Sequence, residues 1–281
     1  MPPKQEQPEA TDPLIQYFEG KGYTNVRRSD AHNIHEIFFA TKDGEECFIK
    51  KYAGPDAKAA GKVNAELLCY QQLPQELLIE VVEINPDERY LVLRKLDLRD
   101  IEKSEQSLDD IIALYFEKLA PVDASSLPEG SWDDYEQMFE KIQSLESANV
   151  SNNAQSIIDL FKRNRTLIEQ SPNVFSHGDF NLRNIKKDGT RLVVLDFEHA
   201  QRDNAMKDMA ALYTSIANDA QLSAHFQDVM RQRNEYNETL FDLMVIRRCV
   251  LALNTYKDSE NSQDFFKKNL ELLKSTLEKY Q

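Results

Sequence analysis

The dipeptide Asp188-Gly189 separates a short polar run from the apolar run Leu192 to Leu195, and this makes the chain double back as a β-hairpin. Doubling back brings the preceding segment, SHGDFNLRN from Ser176 to Asn184, beside Asp196, a charge at the end of the apolar run. An acidic residue at the end of a buried strand is costly unless it is paired or binds a cation. Mg²⁺ takes hard oxygen ligands, and Asn184 with Asp196 would supply an amide oxygen and a carboxylate. Asp179 is then left free to orient a hydroxyl and accept its proton as a phosphoryl group moves. An Asx turn followed by an ordinary hairpin, with Asp196 as a strand-end cap, accounts for the same residues without chemistry.

The two parts of this segment, HGDFNLRN (His177 to Asn184) and LDFE (Leu195 to Glu198), resemble the core motifs of the aminoglycoside phosphotransferase and choline kinase family of small-molecule kinases. The resemblance implies an α+β, protein-kinase-like fold of two lobes: a small mixed N-lobe with an antiparallel sheet and a larger, mainly helical C-lobe. It also implies ATP and Mg²⁺ as cofactors, with Asp179 as catalytic base and Asn184 and Asp196 as magnesium ligands. His177 would hold the loop without reacting. Asp208, in KDMAAL, stands where the family places an aspartate that braces the catalytic loop from the next helix.

A nucleotide-binding half must then lie upstream. ECFIKKY, from Glu46 to Tyr52, reads as a strand, and NAELLCYQQL, from Asn64 to Leu73, reads as a helix. Lys50 and Glu66 are expected to form the lysine–glutamate pair that positions phosphates in kinase-like folds, with Lys51 on the opposite strand face. Between Val26 and Phe39 the phosphate-covering turn contains no glycine, so backbone amides cannot approach phosphate as freely as in a Gly-rich loop. Ser29 and Asn33 are the side chains there that could hydrogen-bond phosphate. Arg94, in LVLRKL, stands at the expected hinge where relatives often carry an acid.

The resulting organisation is a disordered tail (1–12), a nucleotide-binding lobe (13–96) and a catalytic, acceptor-binding lobe (97–281). Asp12 followed by Pro13 signals the start of a short helix ending at Gly20. Helical apolar stripes run through Met206 to Ala217, from Leu240 to Leu251 and from Phe265 to Leu277. Asp123 to Asp134 reads as a loop containing the single tryptophan, Trp132. Cys47, Cys69 and Cys249 lack metal-ligand spacing and read as buried small hydrophobes.

Composition limits the substrate. A net charge of −14 argues against nucleic acid, which would be repelled, and is compatible with a cationic acceptor such as an aminoglycoside or an amino alcohol. Asp203, Glu235, Glu238 and Asp242 are the candidate acceptor-binding acids, and Arg183 could touch the transferred phosphate. No apolar run reaches the ~18 residues of a membrane span, and the polar amino terminus has no secretory h-region, so a cytoplasmic location is expected. The alternative reading is a catalytically silent kinase-fold protein that binds nucleotide or a protein partner. Phosphorylation of proteins is disfavoured because no APE-like segment follows LDFE.

Overall fold

The computed structural model describes residues 12–29, 35–53, 57–143, 153–256 and 262–280. The expected tail up to residue 11, and Asn33, lie outside the described residues. Helix α1 (Pro13–Gly20) starts as its sequence requires: the Asp12 carboxylate accepts a hydrogen bond from the Leu14 N–H at 2.9 Å, and Pro13 occupies the first turn.

Strands β1 (Thr24–Arg28), β2 (Glu36–Lys42), β3 (Glu45–Lys51), β4 (Val81–Asn85) and β5 (Tyr90–Arg94) form one antiparallel sheet in the order β1-β2-β3-β5-β4. Alternation along β3 decides what each face does. Cys47 and Ile49 point into a cluster with Phe18, Tyr23, Phe38 and Tyr90 beneath α1. Phe48 and Lys50 point the other way, Phe48 packing on the main core and Lys50 meeting Glu66 of helix α2 (Ala57–Gln72). All three cysteines are free and buried.

The chain crosses to the helical lobe between Arg94 and the two-residue strand β6 (Arg99–Asp100). Helix α3 (Glu105–Leu114) is capped by the Ser104 hydroxyl, which accepts from the Ser107 N–H at 3.2 Å. The segment expected to be a loop as far as Asp134 instead turns into helix α4 at Trp132 (Trp132–Gln143). Asp133 and Asp134 suit the positive end of the helix dipole. Trp132 stacks on Tyr135 with ring centroids 5.3 Å apart.

Helices α5 (Ala154–Arg163) and α6 (Arg165–Glu169) precede strand β7 (Val174–Ser176). The hairpin follows as β8 (Ile185–Asp188) and β9 (Arg191–Val194). Its two-residue loop is Gly189-Thr190 rather than Asp188-Gly189. Asp188 stays on the ladder opposite Arg191, forming a 2.7 Å ion pair, and Gly189 takes the positive φ of 60° that the turn needs.

Strand β10 (Gln201–Asp203) pairs with β7 and leads into helix α7 (Ala205–Ile216). Helices α8 (Ala220–Arg231), α9 (Glu238–Tyr256) and α10 (Gln263–Leu277) complete the lobe. Leu243, Ile246, Val250 and Leu253 of α9 are fully buried beside Met209 and Leu212 of α7. Among the described residues, no helix is long and apolar enough to cross a membrane.

Candidate active site

The loop joining β7 to β8 is held from beneath by its first residues. Fully buried Asp208, near the start of α7, accepts hydrogen bonds from the His177 N–H at 2.7 Å and the Gly178 N–H at 2.9 Å. The His177 ring is also buried. Its Nδ1 accepts from the Asp179 N–H at 3.2 Å and its Nε2 lies 2.8 Å from the Leu195 carbonyl, so one imidazole ties the loop to the end of β9. Gly178 has φ +78°, and a Cβ there would sit 2.2 Å from the His199 carbonyl oxygen, so only glycine fits this crossing.

This frame presents the Asp179 carboxylate. One oxygen accepts from Asn184 Nδ2 at 3.0 Å, and the other meets the Arg248 guanidinium on α9. Burial alone pushes the Asp179 pKa up, but the Arg248 charge and hydrogen bond, aided by His177 and Asn181, outweigh it and hold the carboxyl below its usual range. Asn184 is also held at the backbone, where its carbonyl accepts from the Leu195 N–H at 2.8 Å. The hairpin thus brings Asp179, Asn184 and the Leu195–Asp196 corner together.

Asp196 takes a left-handed φ of 64°, unusual for a non-glycine residue. Its carboxylate reaches Lys50 Nζ at 2.7 Å, and the same ammonium binds Glu66 at 2.7 Å. Burial favours loss of the Lys50 proton, but Glu66 and Asp196 outweigh it and keep Lys50 charged. Glu198 lies beside this triad, 3.7 Å from Lys50 and 2.9 Å from Lys62 of α2, and in contact with His35. These contacts tie the sheet lobe to the helical lobe. Oxygens of Glu66, Asp196 and Glu198 lie within 4.8 Å of one another. This hard-oxygen set fits Mg²⁺.

Ser29 lies just after β1, where its N–H donates to the Ile37 carbonyl at 2.8 Å. Arg94, at the expected hinge, pairs with Glu80 at 2.8 Å and with Glu45.

A cleft of about 1230 Å³ opens on the other side of Asp179, lined in part by Arg183, Lys207, Arg247 and Arg248. Arg183, expected as a possible phosphate contact, is exposed and borders it. The four acids expected to bind an acceptor do not line it. Asp203 is paired with Lys207 at 2.9 Å. Buried Asp242 accepts from Lys279 at 2.9 and 3.0 Å and from the Tyr280 hydroxyl at 3.0 Å, so it fastens the carboxyl-terminal turn. Glu235 is exposed beside Arg233, and Glu238 is exposed 3.9 Å from Lys279. Sequence reasoning missed Arg247, Arg248, Glu198 and His35. The signal for the first two was present: a pair of arginines interrupts the apolar run of α9, and charges inside such a run need a partner or a ligand.

The Asp203–Lys207 pair permits a direct prediction. Burial pushes the Asp203 pKa up, but Lys207 and Arg247 outweigh it, leaving the carboxyl below its ordinary value. Its contribution to stability is therefore present above the unfolded pKa of ~3.9 and is lost as the pH falls through the lower folded value. Asp203→Asn strands the Lys207 charge and is expected to cost about 3–5 kcal/mol at neutral pH. Urea denaturation across pH should show the gap between variant and wild type closing in acid. A gap that stays constant with pH would contradict this account.

A lysine on a five-stranded sheet paired with a glutamate of the adjoining helix, facing an aspartate and an asparagine at a hairpin in a helical lobe, defines a phosphotransferase of the protein-kinase-like fold. A model of the phosphotransferase enzyme family matches residues 38–241, and the chain belongs to that family. Solved structures agree in fold. A choline kinase from Streptococcus pneumoniae superposes with a TM-score of 0.66 at 15% identity, covering 94% of this chain and 98% of that one. The aminoglycoside phosphotransferase APH(4)-Ia, solved as a thermostable variant with ADP and hygromycin B, gives a TM-score of 0.70 at 14% identity over 94% and 98%. An aminoglycoside 2′-phosphotransferase-IIIa with GDP gives 0.61 at 14% identity over 95% and 97%. No curated protein matches by sequence.

Proposed function

We propose that this chain transfers the γ-phosphoryl group of ATP to a hydroxyl of a small molecule. The observation that carries this reading is the position of Asp179: its carboxylate lines the open cleft and is held by Asn184, whose carbonyl is bonded to the residue before Asp196. A base placed between a phosphate-binding cluster and an acceptor cleft is what in-line transfer requires. In this reading residues 13–96 bind nucleotide and 97–281 provide catalysis and the acceptor site. A cytoplasmic setting, where ATP is abundant, goes with it.

Lys50, oriented by Glu66, holds phosphate oxygens, and Ser29 borders the nucleotide from the covering turn. Asn184 and Asp196, with Glu198 adjacent, would hold Mg²⁺, which when bound neutralises charge on the phosphate oxygens. Asp179 accepts a hydrogen bond from the acceptor hydroxyl and aims its oxygen at the γ-phosphorus. The new O–P bond forms as the bond to the β–γ bridging oxygen breaks, ADP leaves, and the hydroxyl proton passes to Asp179. Because the transition state is loose, little proton transfer is needed early, so a carboxylate with a lowered pKa still serves for orientation.

Titration calorimetry with AMP-PNP tests the nucleotide half. Micromolar binding that needs Mg²⁺ and is lost in Asp196→Ala is expected, whereas Mg²⁺-independent binding would contradict the metal assignment. The glycine-free covering turn favours a second reading, a silent kinase-fold protein, which predicts Mg²⁺-nucleotide binding without phosphoryl transfer to any acceptor.

A further inference from the structure

Cationic side chains outnumber carboxylates on the acceptor side of Asp179. Lys207 and Arg247 both line the cleft, and Asp203 is the one carboxylate that pairs with either among the described residues. Burial pushes the Lys207 pKa down; Asp203 and, to a smaller extent, Asp208 restore part of it, and the Arg247 charge opposes that recovery. Arg247 forms no ion pair among the described residues, and its Nε is buried without a hydrogen-bond partner. Its guanidinium lies 5.5 Å from the Tyr135 ring centroid, which fixes its position without neutralising it. The residue is half-buried, so its guanidinium is held at the cleft wall with Nε shut off from water and no counter-charge.

The rest of the lining has the same sign. Lys103, Arg183 and Lys268 border the cleft, are exposed, and form no ion pair among the described residues. Three acids line the cleft, and each is already engaged: Asp179 by Arg248, Asp100 by Lys186 at 2.5 Å, and Asp219 by the Gln221 and Leu222 N–H groups at the start of α8. Two aromatic side chains, Tyr256 and Phe265, also line it, and they meet edge to face at 4.9 Å, which is no cage for a quaternary ammonium. Lys50, Glu66 and Asp196 do not line this cleft, so these cations face the acceptor rather than the nucleotide. A local positive field in a chain of net charge −14 steers and holds an anion.

We propose that the acceptor carries a negatively charged group, a carboxylate or a phosphate monoester, in addition to the hydroxyl that is phosphorylated, and that Arg247 with Lys207 receives it. This rests on the phosphotransferase reading above and replaces the cationic acceptor suggested by net charge. Arg183 and Lys268 at the mouth draw the anion in, and the fork of Arg247 gives it a fixed orientation.

The test is ADP release from Mg²⁺-ATP with three sets of hydroxylated acceptors: hydroxy acids and sugar phosphates, neutral polyols, and amino alcohols with aminoglycosides. The highest kcat/KM is expected in the anionic set. Arg247→Gln should raise KM for the best anionic acceptor tenfold or more with a smaller change in kcat, and Arg247→Lys should recover part of that loss. A best acceptor that is neutral or cationic, or an unchanged KM in Arg247→Gln, overturns the inference and leaves the phosphotransferase reading intact.

A second measurement applies whether or not the panel contains the acceptor. Sulfate should raise the wild-type melting temperature more than chloride at matched ionic strength, and Arg247→Gln should shrink that difference to the general salting-out effect. An equal sulfate effect in wild type and Arg247→Gln overturns the inference. Failure of the wild type to bind Mg²⁺-AMP-PNP would instead overturn the phosphotransferase reading itself.

Discussion

Asp179→Asn is expected to lower kcat by about 10²–10⁴-fold, the range typical of a lost general base. Asparagine keeps the shape of the side chain and can still contact Asn184, but it cannot take a proton or pair with Arg248. Because the Asp179–Arg248 pair is partly exposed, its loss should change folding stability by only about 0–1 kcal/mol. The signature is therefore a large fall in turnover with intact folding and unchanged affinity for Mg²⁺-AMP-PNP. Steady-state kinetics and calorimetry on the same preparation check it. A fall of less than about tenfold would mean that Asp179 only positions groups.

Asp208→Ala should lower stability and turnover together. The carboxylate accepts from two successive N–H groups of the loop, and alanine leaves one buried and one part-buried group without partners. At ~1–3 kcal/mol for each unsatisfied group, the gross cost is about 2–6 kcal/mol. Part of this is offset, because burial pushes the Asp208 pKa up more than His177, Lys207 and the two N–H groups lower it, so its ionised form is itself disfavoured. A net loss of about 2–4 kcal/mol should lower the melting temperature by roughly 5–15 °C. The same change releases His177 and Gly178, and a displacement of about 1 Å at Asp179 is enough to cost ~10² in rate. Differential scanning calorimetry gives the first quantity, and residual turnover gives the second. A variant that melts with wild type would show that water replaces the carboxylate and that Asp208 does not hold the loop.

What could be read from the sequence is what local rules control. The Asp12–Pro13 start of α1, the turn before β9 and the alternation that sends Lys50 and Ile49 to opposite faces each follow from a few adjacent residues. The pairing of Lys50 with Glu66 was legible because a strand and a helix were both apparent and the hairpin downstream supplied the reason. Arg248 could not be assigned the same way: it lies 69 positions from the carboxylate it meets, and only the packing of α9 against the loop brings the two together. His35 and Glu198 lie 163 positions apart and join only when the lobes close on each other.

The acceptor acids show a different kind of limit. Net charge is a property of the whole chain, and most of its carboxylates face solvent or fasten elements, as Asp242 fastens the carboxyl-terminal turn. The cleft has the opposite sign because Lys207, Arg247 and Arg248 reach it from two helices that sequence periodicity marked only as packing stripes. A global charge could not reveal that local reversal.

The most direct measurement is acceptor-dependent ADP release from ATP by the purified chain, with and without Mg²⁺, accompanied by mass spectrometry of the acceptor. The account predicts Mg²⁺-dependent release, matched mole for mole by phosphorylated acceptor and suppressed in Asp179→Asn. Tight Mg²⁺-nucleotide binding with no phosphorylated product from anionic, neutral or cationic acceptors would contradict it.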